Sequence, residues 1–348
     1  MTPDTRPLLR RLFEPRSLDT LAPVPKIFTY AALLAWALVV LFPLYWVLVT
    51  SLKVQIDVDS GPYYLPFLDF QPTLDAWTFM LLKNNTLGPY LNSIVVALSS
   101  TVLAVLIGAL AAYALVRIRF EVRIAAVATF VLLLVGVIVA VAAFAVPWQA
   151  AVAVALALFL LALGTIGRRF KASLGNNDIE FWMISNRIMP PIVAVLPIYV
   201  MFQQLRLLDT QVALIATYTA VNLPIVVWLT RDFFAGIPLD LEESAEIDGA
   251  SKFRVFFTIA LPLVRSGLAA TFMLVLILAW NEYLLALFLS NANAQTMPVL
   301  VSAQNTTRGP QWWYMSVLIV VMIVPVIAIA AFLQKHIARG LLVGAVKG

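Results

Sequence analysis

From Ile124 to Gly167 the chain reads IAAVATFVLLLVGVIVAVAAFAVPWQAAVAVALALFLLALGTIG, 44 residues without one charge. Only Pro147-Trp148-Gln149 interrupts it. As a single helix at roughly 1.5 Å per residue it would extend about 66 Å, twice a hydrocarbon core of about 30 Å. The stretch therefore predicts a helical hairpin that crosses a bilayer twice and turns at Pro147. Arg117, Arg119 and Arg123 precede it and Arg168, Arg169 and Lys171 follow it, which pins both ends to the cytoplasmic side. Trp148, at the turn, suits the opposite interface. With both faces uniformly apolar, the hairpin is expected to pack peripherally against lipid.

The rest of the chain follows the same grammar. Its 348 residues are 62% hydrophobic and 12% charged, with a mean hydropathy of +0.96, outside the balance of soluble domains. Charge-poor runs over 27–51, 91–116, 184–205, 212–230, 267–289 and 313–333 join the hairpin halves 124–146 and 149–167 as eight expected spans. The expected fold is therefore an all-α polytopic membrane protein. Barrel strands are excluded because the runs are too long and do not alternate, and helices alone satisfy their backbone internally in lipid. With the N-terminus inside, all but four of the 23 Lys and Arg fall on the cytoplasmic side, the four being Lys53, Lys83, Arg206 and Arg308. Both termini are then cytoplasmic.

The net charge of +5 follows from this topology and from contact with anionic lipid, and no nucleic acid is implied. Residues 1–26 form a basic cytoplasmic segment without a signal-peptide pattern, so the first span is expected to be retained. The sequence holds no cysteine and one histidine, His336, so neither a thiolate nor a histidine metal site is expected. Residues 52–90, broken by Gly61-Pro62, Pro66 and Pro72, read as an ordered outer loop or short helix and not a domain.

The longest clearly cytoplasmic stretch, Gly236 to Pro262, reads GIPLDLEESAEIDGASKFRVFFTIALP. Pro238 suits a first helical position, and the acids after it favour the positive end of a helix dipole. Gly249 can end that helix in the left-handed conformation, Ser251 can cap the next, and Pro262 is expected to close it. Phe253, Phe256, Phe257 and Ile259 are too many large apolar groups for a free loop, so one face at least must bury against protein.

The spacing Glu243-x-Ala245, Gly249 and Ile259-x-Leu261-Pro262 resembles the signature loop of permease subunits in ATP-binding-cassette importers. The fuller string from Glu243 to Pro262 is similar to their maltose-type carbohydrate branch. Ser244, where alanine is usual, and Ser266, where a second proline often follows, depart from it. The resemblance continues through Pro43-Leu44-Tyr45-Trp46, Thr50-Ser51-Leu52-Lys53, Pro72-Thr73-Leu74-Asp75, Asn92-Ser93, Arg187 to Thr210, and Trp280-Asn281-Glu282. It implies a core of six spans, so 124–167 is an insertion between family spans two and three within a transmembrane domain 27–333.

The resemblance further implies that the loop docks on a cytoplasmic ATPase through Glu242, Glu243, Ala245, Asp248, Gly249, Ala250, Phe253, Phe256, Leu261 and Pro262. The tail 334–348 would reach between ATPase subunits, with Gln334, Lys335, Gly340 and Lys347 as contacts. It implies as partners a second, homologous permease, two copies of the ATPase and an extracytoplasmic solute-binding protein. ATP and Mg would sit on the ATPase, with no cofactor on this chain, which lacks a Gly-x-x-x-x-Gly-Lys-[Ser/Thr] phosphate loop.

Polar residues inside spans are costly and so mark a translocation pathway, here Asn92, Ser93, Tyr218, Asn222, Asn281 and Glu282. Bridging between helices is the alternative for each. The absence of a carboxylate and histidine cluster favours a neutral polar solute over an ion. A channel or secondary transporter would not need the phenylalanine-rich elbow. An intramembrane enzyme would need paired acids, a histidine-rich metal set or a Gly-x-Ser-x-Gly turn, none of which the spans carry.

Overall fold

The computed structural model describes residues 13, 22–144, 146–165, 173–307 and 309–345. Side chains are described through Phe332, apart from Ala142, Trp148, Thr165, Arg187 and Ile188. The flanking cations Arg168, Arg169 and Lys171, together with Arg308 and Lys347, lie outside the described residues, as does most of 1–26. The chain divides into two compact units, 1–90 with 299–325, and 91–298 with 326–348.

In the first unit, α1 (Pro23–Thr50) opens with proline at its start, where the missing N–H costs nothing. It buries only Val49 and Thr50. After it come α2 (Gln55–Asp59) and α3 (Asp75–Thr78), the latter running into a π-helical turn, Phe79–Lys83. Lys53 organises this segment. It is 2% exposed, donates to the Tyr63 carbonyl at 2.6 Å, and lies 4.4 Å from the Trp46 ring and 5.2 Å from that of Phe70. Burial lowers its pKa, against the opposing pull of Asp57 and Asp69, and the aromatic faces and carbonyl stabilise the cation left inside.

The second unit carries α4 (Leu87–Arg117), which begins in the first, then β1 (Val122–Arg123), α5 (Ile124–Phe144), α6 (Trp148–Thr165) and β2 (Ser173–Leu174). It continues with α7 (Asn176–Ile188), α8 (Pro191–Gln204), α9 (Gln211–Ala235) and α10 (Leu239–Ile247). Next come α11 (Lys252–Val255), a π-helical turn Phe256–Ala260, α12 (Leu261–Leu263), α13 (Arg265–Trp280) and α14 (Leu284–Leu289). Then follow α15 (Met297–Ser302), β3 (Asn305–Thr306), β4 (Gly309–Pro310) and α16 (Trp312–Ala345), the last reaching from the first unit into the second.

The expected hairpin is present as α5 and α6, which pack on each other and bring Phe130 and Phe159 together at 5.8 Å. β1 and β2 pair antiparallel at its base, Val122 opposite Leu174 and Arg123 opposite Ser173. In the core of this unit α4, α9 and α13 meet at Ala104, Val226 and Val275. Gly108 permits the approach, since a Cβ there would stand 2.5 Å from the Val226 side chain.

The all-α membrane fold is as expected, and the number of about eight spans is not reached by length and apolarity among the described residues. Among the described residues five helices are long and apolar enough to cross by themselves, α1, α4, α5, α9 and α16, and the number rises to seven if each of two bent pairs is one span. One bent pair is α7 with α8, at 87°, within the span expected over 184–205. Pro190 and Pro191 lack N–H donors, and each disfavours helical geometry in the residue before it, so the helix cannot run through. The other is Lys252–Leu263 with α13, at 80°. The helix does not close at Pro262 but runs to Leu263 and bends at Val264, whose φ of −95° and ψ of 9° leave the helical region. The span expected over 267–289 is also interrupted, at Asn281–Tyr283 between α13 and α14. In α6 the apolar stretch Gln149–Leu163 is shorter than the five crossing helices.

Candidate functional site

The stretch from α10 to α12 is an elbow whose two faces do different things. Pro238 stands at the N-cap of α10, one position before the first helical residue. The helix ends in a Schellman motif in which Gly249 N–H donates to the Glu246 carbonyl and Ala250 N–H to the Ala245 carbonyl, both at 3.0 Å. Gly249 has φ +84°, the left-handed conformation this turn requires. Ser251 caps α11 by accepting from Arg254 N–H at 3.3 Å.

The inward face is anchored by one acid. Glu242 is 3% exposed. It accepts from the Tyr113 hydroxyl at 2.7 Å and from Arg117 Nε at 2.9 Å, and Arg117 also reaches it through Nη2 at 2.7 Å. The same guanidinium donates to the carbonyls of Ile237, at 2.9 Å, and Phe234, at 3.2 Å. Arg117 thus ties the last turn of α4 to the end of α9 and the start of α10. Around the tie, Phe256 packs 5.1 Å from the Tyr113 ring and 5.9 Å from that of Phe234, among Ala109, Ala112, Val227, Ile237 and Ala260. Ala245 and Leu261 are half-buried on the same side.

The outward face is exposed and apolar beside acids. Ile247 is 85% exposed and Phe253 71%, next to exposed Glu243, Asp248 and Gly249, with Ala250 half-buried and Pro262 exposed. A Lys252–Glu246 bridge at 2.7 Å spans the turn at the surface, where such pairs contribute little. Gln334, Lys335 and Gly340 lie on the backbone of α16.

The six polar span residues separate into two groups. Asn92 donates to the carbonyls of Asn293 (2.8 Å) and Gln295 (3.0 Å) and accepts from Gln211 Nε2 (2.6 Å). The Ser93 hydroxyl accepts from Met297 N–H at 2.8 Å. Both side chains hold segment 291–297 against the start of α4.

Asp209, which sequence reasoning did not single out, completes that clamp. It sits at φ +57° and accepts from the backbone N–H groups of Asn291 (2.8 Å), Asn293 (3.0 Å) and Ala294 (2.9 Å) and from the Asn293 amide (2.9 Å). Burial pushes its pKa up, but these hydrogen bonds outweigh that and hold the carboxyl below its ordinary value. The clamp is therefore fully formed above pH 3.8 and is lost as pH falls through the lower folded value. Asp209→Ala is expected to speed hydrogen exchange at Asn291, Asn293 and Ala294 by about tenfold or more at neutral pH, in line with charge-assisted hydrogen bonds of about 1.5–3 kcal/mol. Unchanged exchange would show that the segment does not depend on the carboxylate.

The second group surrounds the break between α13 and α14. Asn281 is exposed and its amide bonds back to the Ile277 carbonyl at 2.8 Å. Glu282 is half-buried and accepts from Leu285 N–H at 3.0 Å, satisfying a free donor at the start of α14. The buried Tyr218 hydroxyl donates to the Glu282 carbonyl at 3.3 Å, and buried Asn222 donates to the Tyr218 carbonyl at 2.9 Å. Among the described residues no group of three or more acids or histidines could hold a metal ion.

Helices long and apolar enough to cross a membrane, carrying an anchored elbow with an exposed apolar outer face, define the class as a polytopic membrane protein with a surface open to a partner. Residues 177–343 match the family described as binding-protein-dependent transport system inner membrane component. The chain is 31% identical over 311 residues to the probable ABC transporter permease protein y4oR of Sinorhizobium fredii (strain NBRC 101917 / NGR234), covering 89% of this chain and 92% of that protein. It is 28% identical over 315 residues to the diacetylchitobiose uptake system permease protein NgcG of Streptomyces coelicolor (strain ATCC BAA-471 / A3(2) / M145), covering 89% and 85%. The crystal structure of a bacterial ABC transporter involved in the import of the acidic polysaccharide alginate shares the fold, with a TM-score of 0.57 and 20% identity over 90% of this chain and 96% of that one.

The chain belongs to the binding-protein-dependent family of ABC transporter permeases. It is an inner-membrane transport subunit and not an enzyme: ATP hydrolysis falls to a partner, and the family works with an ATPase and a substrate-binding protein.

Proposed function

We propose that this chain forms half of the translocation pathway of a bacterial importer for a carbohydrate or sugar derivative, with both termini and the elbow in the cytoplasm. A second, homologous permease supplies the other half as a heterodimer. Two copies of an ABC ATPase bind ATP and Mg, and an extracytoplasmic solute-binding protein delivers the substrate. Lipid surrounds the assembly, and this chain carries no cofactor. The carbohydrate reading is supported by the similarity of Glu243–Pro262 to the carbohydrate branch and by the relative that serves diacetylchitobiose uptake.

One observation carries the coupling reading: the elbow's outer face leaves Ile247 and Phe253 in the open while its inner face is tied by Glu242. Burying one such side chain in a partner's cleft contributes about 1.5–3 kcal/mol. In this reading Glu243, Asp248, Gly249, Ala250 and Phe253 form the docking side, with Ala245 half-buried behind it. Glu242, Phe256, Leu261 and Pro262 connect it to the spans, and Gln334, Lys335, Gly340 and Lys347 add contacts from the tail. Closure of the ATPase moves the elbow and biases the spans between two arrangements. Asn281 and Glu282, backed by Tyr218 and Asn222, face the solute at the helix break, while Asn92 and Ser93 keep the outer segment in place.

The chain contains no cysteine, so single cysteines report cleanly. Ile247→Cys and Phe253→Cys are expected to react quickly with a membrane-impermeant maleimide in the isolated chain, and about tenfold or more slowly in the reconstituted complex, as burial in a docked interface requires. In that complex, binding protein loaded with oligosaccharide is expected to stimulate hydrolysis, and binding protein offered amino acids is not. Equal labelling with and without the ATPase would sink the docking assignment.

A further inference from the structure

Between α4, the π-helical turn of the elbow and α13 lies an open groove of about 370 Å³. Leu106 lines it from α4, Phe257 and Leu261 from the elbow, and Phe272 from α13, and the lining is apolar except at one end. That end is Arg265, the first residue of α13, which is exposed and has no acidic partner among the described residues. Phe272 stands seven residues further on, about 10 Å along the helix at 1.5 Å per residue. The groove thus follows α13 from Arg265 to Phe272.

We infer that this groove holds an anionic phospholipid of the cytoplasmic leaflet, its headgroup phosphate on Arg265 and an acyl chain along Leu106, Phe257 and Phe272. The placement in that leaflet rests on the orientation proposed above. Charge complementarity selects this occupant. Apolar walls with one guanidinium that has no acidic partner among the described residues, at headgroup depth in the proposed orientation, match an amphiphile with one charged end, and a planar guanidinium takes phosphate oxygens in pairs. Anionic lipids are also concentrated where that guanidinium lies. A bound chain would wedge between α13 and the turn that carries Phe256 and Phe257, so occupancy bears on the bend at Val264.

The assembled transporter, reconstituted with equal amounts of 1-palmitoyl-2-oleoyl phosphatidylglycerol and phosphatidylcholine, re-extracted and read by native mass spectrometry, tests this. The wild type is expected to retain phosphatidylglycerol over phosphatidylcholine by about fivefold, the ratio that one surface arginine supplies. Arg265→Gln should abolish the preference, Arg265→Lys should keep most of it, and Ala269→Phe, which fills the groove, should lose both lipids. Co-elution of the ATPase verifies that each variant has assembled, and labelling at Ile247→Cys reports orientation and docking separately. Equal retention of the two lipids by the wild type would overturn the inference. So would a photo-crosslinker at Ala269 that captures a polypeptide, which would make the groove a protein interface.

Discussion

Glu242→Ala is expected to reduce uptake about a hundredfold while the chain still inserts in the membrane. Among the described residues the substitution removes the one carboxylate on Arg117 and leaves a largely buried guanidinium with two carbonyls and no counter-charge. Breaking one side of a buried pair costs about 3–5 kcal/mol, and each 1.4 kcal/mol is a factor of ten in an equilibrium. Insertion depends on the apolar spans and is untouched. What fails is the link between α10 and the last turn of α4, so motion of the elbow no longer reaches the spans.

Two milder variants grade the effect. Tyr113→Phe removes one neutral donor and is expected to cost about 1 kcal/mol. Glu242→Gln keeps a partner for Tyr113 but loses the charge, and should fall between the other two. Transport of radiolabelled substrate into vesicles, with hydrogen exchange over 239–247, measures all three. Uptake by Glu242→Ala at the wild-type rate would remove the anchor from the mechanism.

Gly249→Val should uncouple the transporter, with uptake down by more than tenfold and hydrolysis no longer following the substrate. An added Cβ meets nothing within 4 Å, so the damage is purely conformational. At φ +84° a β-branched residue costs about 1–3 kcal/mol of strain. The turn relieves that strain by opening, which rotates Ile247 away from Phe253. Gly249→Asn tolerates the same region and is expected to retain most activity. Normal substrate-stimulated hydrolysis and uptake in the valine variant would refute the claim that the turn sets the docking geometry.

The features legible in the sequence were those whose causes are local. The cap at Ser251 and the left-handed turn at Gly249 depend on neighbours within four residues, and both stand as expected. The uncharged length of 124–167 fixed the hairpin in the same way. Features that depend on distant partners were not legible. Asn92 meets Asn293 across 201 residues of chain and Glu242 meets Arg117 across 125, and no periodicity signals either pair.

Glu242 and Glu243 look alike in the string, yet one points inward and the other outward. The half-burial of Ala245, three residues on, gives the phase that separates them. The break at Met189 had a visible cause in Pro190 and Pro191, but a long apolar run outweighed it. The interruption at Asn281 had only a polar tripeptide to announce it.

The two-residue ladder joining Val122–Arg123 to Ser173–Leu174 brings the ends of the α5–α6 excursion to within one strand spacing, about 4.8 Å. A gene could therefore acquire or discard the coding sequence for those helices without stretching the backbone on either side. Permeases of this lineage with and without the excursion should share flanking segments of equal length, and an engineered fusion spliced at that ladder has a ready-made pair of adjoining attachment points.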